Sequence, residues 1–436
     1  MSYFHLNLIL KGKLTVCCLL MLSVIPLNAQ REAKQIGDFK ESISLNEHLR
    51  GTKRTLQYCP DGDEFVCVNG KNRYTRALYG SHSPFRVETS DRPVFAFYNN
   101  GRGGNISFKV ILRDGTELAL DRTGYCESRY SAGKRTYYLT DPSWGKGELR
   151  ISVLALADMD GAIWRFSPSN MPKGAILRWQ HGGATGKRLS RNGDMGVDPA
   201  DCFELPAEAT DLVTGELALQ KEVYLVRGEV PEGYNVRKLY QQAEAASLAL
   251  ASHLKIETPD PYLNTLGGAL VAAADGIWDG QVWLHGAIGW RMPLSGWRAG
   301  YTGDALGWHD RARTHFDAYA ASQVTDVPNT IPHPAQDSTM NLARSEKRWG
   351  TPQYSNGYIC RNPERNNQMH HYDMNLCYMD ELLWHFNWTG DTAYVRKMWP
   401  MITRHLAWEK LNYDPDNDGL YDAYACLLYT SDAADE

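Results

Sequence analysis

The segment ISFKVILRDGTELAL, residues 106–120, shows the pattern that governs the first half of the chain. Apolar residues alternate with polar ones, and Asp114-Gly115 supplies a residue pair that commonly turns one strand back onto the next. The same arrangement returns in residues 151–166, around Asp160-Gly161. Many short strands separated by turn residues are typical of an antiparallel β-sandwich, which we predict for residues 30–234.

Helix-forming sequence follows this region. Residues 235–257 are rich in Ala, Leu and Gln and predict a linker helix. The stretch 369–388 is apolar nearly all round, which predicts a buried helix. Asp260, followed by Pro261, suits the start of a helix, and Gly390 and Asp391 suit the end of one helix and the start of the next. Residues 258–425 are therefore predicted to form helical hairpins, which makes the chain a multidomain β + α protein.

The sequences at both ends of the chain indicate segments that are not part of the folded domains. Residues 1–29 combine Lys11 and Lys13 with a short apolar run and a small-residue cleavage site. They predict a signal peptide, and hence a periplasmic or secreted protein with no membrane span after cleavage. Residues 426–436, CLLYTSDAADE, match one reading frame of a transposon adapter used in metagenome libraries. We expect the natural protein to continue past Ala425, with a natural acidic tail as the alternative.

Composition narrows the class of partner. The formal net charge of the 436 residues is −5, so there is no basic footprint for nucleic acid or an anionic membrane. Thirteen tryptophans and twenty-four tyrosines fit either a carbohydrate-handling protein or a large aromatic core. The cysteines show no CxxC or similar spacing, so they predict no metal site.

The most informative stretch for function is WDGQVWLHGAIGWRMPLSGWRAGYTGDALGWHDRARTHF, residues 278–316. Indole rings stack on the apolar face of a pyranose, and guanidinium and carboxylate groups bind its hydroxyls, so this mixture suits a sugar site. The frequent glycines interrupt helical periodicity and predict a loop held against another surface. The alternative is that the tryptophans pack between helices and the charges are solvated. The residues predicted to bind substrate here are Trp290, Arg291, Trp297, Arg298, His309 and Asp310.

Two carboxylates are candidates for catalysis, because glycoside hydrolysis uses a pair of them. Asp304 lies inside the tryptophan-rich stretch, and an ion pair with a neighbouring arginine would explain it equally well. Asp373 stands with His370 and His371 at the start of the predicted buried helix, where all three are predicted to bind sugar or to assist proton transfer. The alternative is a helix cap and core packing. Residues 380–381 are acidic and lie inside that helix, with no partner evident from the sequence.

A loop near the end of the chain carries a weaker prediction of a calcium site. Asp414, Asp416 and Asp418, followed by Gly419, match the first positions of an EF-hand loop. Ala425 occupies the position where that loop needs glutamate, so a capped turn between hairpins is the alternative to calcium. No other cofactor is predicted.

Two stretches resemble a known superfamily. WHFNWTGDTAYVRKMWPMITRHLAWEKLNYDPDNDGLYDAY, residues 384–424, resembles the middle of the six-hairpin (α/α)6 glycoside hydrolases, which include glucoamylases and bacterial α-L-rhamnosidases. In those enzymes a helix ends in TGD and a later loop reads D-x-D-x-DGL. GWRAGYTGD, residues 296–304, resembles the sugar-site loop of the rhamnosidases. Trp297 departs from that loop, because it occupies the position of the general-acid glutamate and an indole cannot donate that proton.

The resemblance implies a fold and a function. The fold would be an N-terminal antiparallel β-sandwich followed by an incomplete (α/α)6 toroid, since residues 258–425 provide about three hairpins. The function would be that of a secreted bacteroidete glycoside hydrolase acting on plant or host polysaccharide or oligosaccharide. One or both catalytic carboxylates of this superfamily usually lie beyond the DGL loop, so the 436-residue chain is expected to be inactive. The alternatives are a non-catalytic glycan-binding protein, which the tryptophan at position 297 favours, and a glycoside phosphorylase.

Overall fold

A computed structural model describes residues 58–71, 76–99, 102–182, 212–230, 232–286, 291–327, 354–366, 373–414 and 416–421. Residues Tyr58–Glu436 form one compact unit. The predicted signal peptide and the predicted adapter-derived tail lie outside the described residues, so both stay predictions.

Two seven-stranded antiparallel sheets make up the first part of this unit. The strands are β1 Cys59–Asp61, β2 Glu64–Val68, β3 Arg76–Leu78, β4 Arg86–Thr89, β5 Phe95–Asn99, β6 Arg102–Ile111, β7 Glu117–Ala119, β8 Tyr125–Ser131, β9 Lys134–Thr140, β10 Glu148–Ala155, β11 Gly161–Ser169, β12 Ile176–Gly182, β13 Val213–Ala218 and β14 Val223–Gly228. The first sheet has the order β1-β2-β8-β9-β10-β11-β14. The second has the order β13-β12-β6-β5-β4-β3, with β7 paired to β6.

The hairpin predicted from residues 106–120 is confirmed by the pairing of β6 with β7. The backbone N–H of Leu112 donates to Thr116 O at 2.9 Å, and Gly115 adopts a φ of +87°. That left-handed conformation suits glycine because it has no Cβ. Asp114 accepts the N–H of Thr116 at 2.9 Å and thereby holds the turn closed.

The core of this β domain lies between the two sheets. Phe95 and Phe108 come from the second sheet, whereas Trp164 and Tyr137 come from the first, and all four are buried. The ring of Phe95 meets the rings of Trp164 and Tyr137 edge-on, at centroid distances of 5.5 and 5.9 Å. Edge-to-face contacts of this kind add to the free energy gained from burying the rings. Ser107 and Lys109, which alternate with the inward residues of β6, are polar, and this alternation is the period of two.

Six α-helices follow among the described residues, and two of the predicted helix starts are confirmed. Asp260 accepts the N–H of Tyr262 at 2.8 Å, and Asp391 accepts those of Ala393 and Tyr394 at 3.0 Å. These carboxylates satisfy backbone donors that have no partner within the first turn. None of the described helices has the length and apolar character needed to cross a bilayer. The helices are α1 Val236–Ala251, α2 Pro261–Gly276, α3 Gly300–Ala305, α4 His309–Ala320, α5 Asp373–Thr389 and α6 Thr392–Tyr413.

Helix α5 differs from its prediction as a wholly buried helix. Tyr378 and Leu382 are buried against the helical core, whereas Leu383, Trp384 and Trp388 are exposed on the opposite face. The sequence suggested burial because tryptophan and leucine occupy both faces. The prediction that a β domain precedes a helical region is confirmed in outline, and the toroid stays a prediction.

A buried polar network joins the β domain to the helices. Asp275, near the end of α2, accepts hydrogen bonds from His82 Nε2 at 3.2 Å and Arg311 Nη1 at 2.6 Å. Gly276 O accepts from Arg86 Nη2 at 2.7 Å and from Arg291 Nη1 at 3.1 Å. Each of these polar groups therefore has a hydrogen-bond partner, which offsets part of the free-energy cost of removing it from water.

Candidate active site

The short helix α3 lies against α5, and two glycines allow the close approach. A Cβ on Gly300 would lie 2.3 Å from Glu381 Oε2, and one on Gly303 would lie 2.3 Å from the ring of Trp283. The glycine-rich stretch was predicted to be a loop held against another surface. The contact is as predicted, but residues Gly300–Ala305 are helical.

Asp304 is the centre of a histidine-lined cluster. The carboxylate is 4% exposed. It accepts hydrogen bonds from Nδ1 of His309 at 2.7 Å and from Nδ1 of His385 at 2.9 Å. His385 is fully buried, whereas the side chain of His309 is 43% exposed. The cluster therefore runs from the helical core to the protein surface.

Glu381 lies one helical turn before His385 and is almost completely buried, with 1% exposure. Burial raises the pKa of its carboxyl to about 8, although the N–H of Gly300, which donates to Oε2 at 2.9 Å, favours the charged form. Glu381 is therefore a neutral acid at pH 7. Among the residues that the structure describes, its Oε1 has no hydrogen-bond partner, and the same is true of His385 Nε2.

Two successive contacts between α3 and α5, called here the α3–α5 rungs, each contain one of the two carboxyl groups. Gly300 contacts Glu381 in one rung, and Asp304 contacts His385 in the next. Within each helix the two residues are four positions apart, which is one turn and about 6 Å along the axis. These contacts place both carboxyl groups along the same interface between α3 and α5.

Two of the predicted sugar-binding residues lie on the approach to α3. Arg298 is exposed and has a φ of +64°, a left-handed conformation that is rare for a residue with a Cβ. The ring of Trp297 lies 4.5 Å from that of His285 and packs on Leu294 and Met374. Trp297 and Arg298 precede Asp304 in sequence, by seven and six positions, and their role in sugar binding stays a prediction.

Arg291 and Asp310 occupy different surroundings. The Arg291 guanidinium donates to the carbonyl oxygens of His82 at 2.5 Å, Gly276 at 3.1 Å and Trp278 at 3.4 Å. These bonds place it in the junction between the β domain and the helices. Asp310 is exposed in the first turn of α4. Neither residue contacts Asp304 or Glu381 by a hydrogen bond among the described contacts.

The remaining predicted residues cannot be placed in the cluster. Trp290, His370 and His371 lie outside the described residues. Asp373 begins α5, but its side chain also lies outside what the structure describes. Their predicted roles therefore stay predictions.

The sequence interpretation missed His385 and left Glu381 without a role. Both lie in α5, and their i, i+4 spacing places them on the same face of the helix. That spacing was visible in the sequence, but a polar pair in an apolar helix gains meaning only from what faces it. The facing residues, Gly300 and Asp304, are 81 positions away in each case.

The predicted calcium loop lies away from this cluster. One oxygen from each of Asp414, Asp416 and Asp418 falls within 4.8 Å of the others, a spacing that could hold a metal ion. Asp414 also accepts the N–H of Gly419 at 3.3 Å, and Asp418 accepts that of Leu420 at 2.7 Å. These bonds describe a capped turn, so both interpretations of the sequence stay open.

Comparison with known proteins adds two findings. A family model described as a domain of unknown function (DUF4450) matches residues 100–230, which lie in the β domain. No curated protein matches the chain. A solved structure of a bacterial glucoamylase complexed with acarbose is similar, with a TM-score of 0.38 and 9% sequence identity. The match covers 70% of this chain and 56% of the glucoamylase chain, so this chain spans little more than half of that protein.

Proposed function

We propose that this chain comes from a periplasmic or secreted glycoside hydrolase that acts on plant or host polysaccharide or oligosaccharide. The observation that supports this most directly is the pair of carboxyl groups on successive rungs between α3 and α5. Their surroundings differ, because Glu381 accepts backbone N–H groups whereas Asp304 accepts two imidazole N–H groups. A pair of carboxyl groups in unlike surroundings can divide acid and base roles.

The roles follow from the protonation states. Glu381 is neutral at pH 7, because burial raises its pKa to about 8, so it can donate a proton to the oxygen of the leaving sugar. Asp304, which accepts hydrogen bonds from His309 and His385, would be the second carboxyl group, either by stabilising positive charge at the anomeric carbon or by activating water. His309 is the solvent-exposed edge of the cluster and would be the first residue that a sugar meets.

The proposal includes the finer fold. Helices α5 and α6 form a hairpin through Gly390, which adopts a φ of +61°, and Asp391, which begins α6. We propose that such hairpins belong to an (α/α)6 toroid, of which this chain holds a part. A toroid of this kind would surround the α3–α5 rungs and leave one end open to a carbohydrate.

The test is an assay of the complete product of the gene, as read from genomic DNA. It would be incubated with a panel of plant and host polysaccharides and with aryl glycosides, and released reducing sugar would be measured. Glu381→Gln and Asp304→Asn are each expected to lower kcat by about 100-fold or more. Asp317→Asn, an exposed carboxylate on α4 that pairs with Lys397, serves as the control with unchanged kcat. Absence of turnover across the panel, or equal turnover in all variants, would contradict the proposal.

A non-catalytic glycan-binding protein is the second candidate, because Glu381 and Asp304 are both almost fully buried. A carboxyl that remains covered cannot reach a glycosidic oxygen. Calorimetry with the same panel separates the two functions. Binding of an oligosaccharide that is recovered intact after prolonged incubation would favour the binding protein.

A further inference from the structure

A cavity of about 380 Å³ lies between the first sheet and helices α1 and α2. Phe65, Tyr130 and Lys134 line it from the sheet, and Glu244 and Ser247 line it from α1. Its volume is within the range of small-molecule sites, which often occur where two parts of a protein meet. None of the residues of the α3–α5 rungs lines this cavity, so the two sites are separate.

Contacts within the protein hold the wall of the cavity in place before any ligand binds. Ser247 Oγ donates to Ala132 O at 2.6 Å, which joins α1 to the turn between β8 and β9. A Cβ on Gly133 would lie 2.4 Å from Ser247 Oγ, so the close approach of α1 to this turn depends on glycine. A preformed wall lowers the entropic cost of binding.

An ion pair presents both donors and acceptors to the cavity. Lys134 Nζ donates to Glu244 Oε1 at 3.0 Å. The ammonium group has three N–H donors and the carboxylate has two oxygens, so this bond leaves capacity on both groups. Two adjacent sugar hydroxyls match such a pair, because one can accept from Lys134 while the other donates to Glu244.

The rest of the lining favours a ligand with no net charge. Lys134 and Lys255 are balanced by Asp63 and Glu244, so the lining favours neither phosphate nor a cation. The partly exposed ring of Phe65 provides an apolar surface for the C–H face of a sugar ring, whereas Tyr130 is 6% exposed and its ring is faced by the guanidinium of Arg76. Among the described residues, the acidic group that could hold a metal lies elsewhere, at Asp414, Asp416 and Asp418.

We propose that this cavity is a second carbohydrate-binding site, for a neutral sugar of one or two pyranose rings. The proposal goes beyond the hydrolase, since the cavity uses none of the residues assigned to bond cleavage. It would hold a glycan on the β-domain side of the molecule whether or not the α3–α5 cluster is catalytic.

The test uses the 436-residue protein and a panel of neutral sugars: glucose, galactose, mannose, xylose and rhamnose, with cellobiose and maltose. Binding would be measured by calorimetry and by saturation-transfer NMR. Glu244→Gln and Lys134→Met are each expected to weaken binding by about tenfold or more, the effect of losing one charge-assisted hydrogen bond. Ala251→Leu, which fills the cavity from α1, is expected to abolish binding.

Matched controls come from another lysine–glutamate pair. Lys109 and Glu117 lie 3.5 Å apart on the surface of the second sheet, and Lys109→Met and Glu117→Gln should leave binding unchanged. Thermal unfolding of each variant checks that it is folded.

The outcomes separate this site from the proposed enzyme. Binding that is lost in Glu244→Gln and Ala251→Leu but kept in Asp304→Asn supports the cavity, even if no sugar is ever cleaved. Binding that persists in Glu244→Gln and Ala251→Leu overturns the proposal, and loss of that binding in Asp304→Asn would assign the sugar to the α3–α5 cluster. Absence of binding by the whole panel overturns it as well.

Discussion

Asp275 and Glu381 are both buried carboxyl groups, but their surroundings shift their pKa values in opposite directions. Burial alone would raise the pKa of Asp275, yet hydrogen bonds from His82 and Arg311 hold that pKa below its ordinary value. Burial is the largest influence on Glu381, which forms no ion pair among the described residues. It outweighs the backbone N–H groups that Glu381 accepts and the charge of Arg298, and it raises the pKa to about 8. A cation partner, more than depth, therefore decides whether a buried carboxyl joins two parts of the fold or stays ready for proton transfer.

The largest loss of stability at a single pH is expected from breaking the junction at Asp275. Asp275→Asn removes the charge that balances Arg311 and leaves that guanidinium half-buried without its carboxylate. We expect the free energy of unfolding at pH 7 to fall by about 3 kcal/mol, measured by urea denaturation. Asp310→Asn, an exposed carboxylate in the first turn of α4, is the control and should change it by less than about 0.5 kcal/mol. Equal effects of the two substitutions would refute the assignment of Asp275 to a buried ion pair.

Glu381→Gln tests the raised pKa of Glu381 through the pH dependence of the free energy of unfolding. The folded-state pKa of about 8 lies above the ordinary value of 4.5, so the neutral carboxyl contributes stability that is complete below 4.5 and is lost as the pH rises through 8. In that window the wild type should lose about 1.4 kcal/mol per pH unit relative to Glu381→Gln.

The measurement is a set of urea-denaturation curves for both proteins between pH 5 and pH 8. Asp310→Asn, at an exposed carboxylate in the first turn of α4, leaves Glu381 and its surroundings in place and should keep the wild-type slope. If the free energy of unfolding changed with pH equally in the wild type and in Glu381→Gln, the fold would not be keeping Glu381 neutral.

Gly300→Ala tests the close approach that buries Glu381. The new Cβ would lie 2.3 Å from Glu381 Oε2, so α3 and α5 must separate or the carboxyl must move. We expect a loss of about 2 kcal/mol in the free energy of unfolding, which is typical of overpacking. In a Glu381→Ala background the clash disappears, and the same substitution should then cost much less. An identical cost in both backgrounds would mean that Glu381 is not the obstacle.

The smallest effect is expected at the edge of the Asp304 cluster. His309→Gln removes a partly exposed donor at 2.7 Å from Asp304, which should cost about 0.5–1 kcal/mol because water can replace it. His385→Gln removes a fully buried donor to the same carboxylate and should cost more than His309→Gln. Thermal unfolding of the two variants at one pH compares them directly, and the reverse order would contradict the described burial.

Local patterns predicted most elements of this fold. The hairpin around Asp114-Gly115 and the helix starts at Asp260 and Asp391 were readable because a turn or cap depends on residues two or three positions apart. The burial of α5 was wrong in part, since a helix with apolar residues on both faces does not reveal which face meets the core. The pairing of Arg291 with carbonyl oxygens was equally hidden, because its partners His82 and Gly276 lie on different elements.

Sequence patterns alone predicted the β domain, the helical region after it, the helix caps and Asp304 as a candidate catalytic carboxylate. Only the tertiary structure decided what surrounds each carboxyl group. Glu381 meets Gly300, and Asp304 meets His385, across 81 residues of chain, and Asp275 meets His82 across 193. The charge state of a buried group depends on desolvation and on the few polar atoms within hydrogen-bond reach, and those atoms are brought together by packing rather than by sequence order.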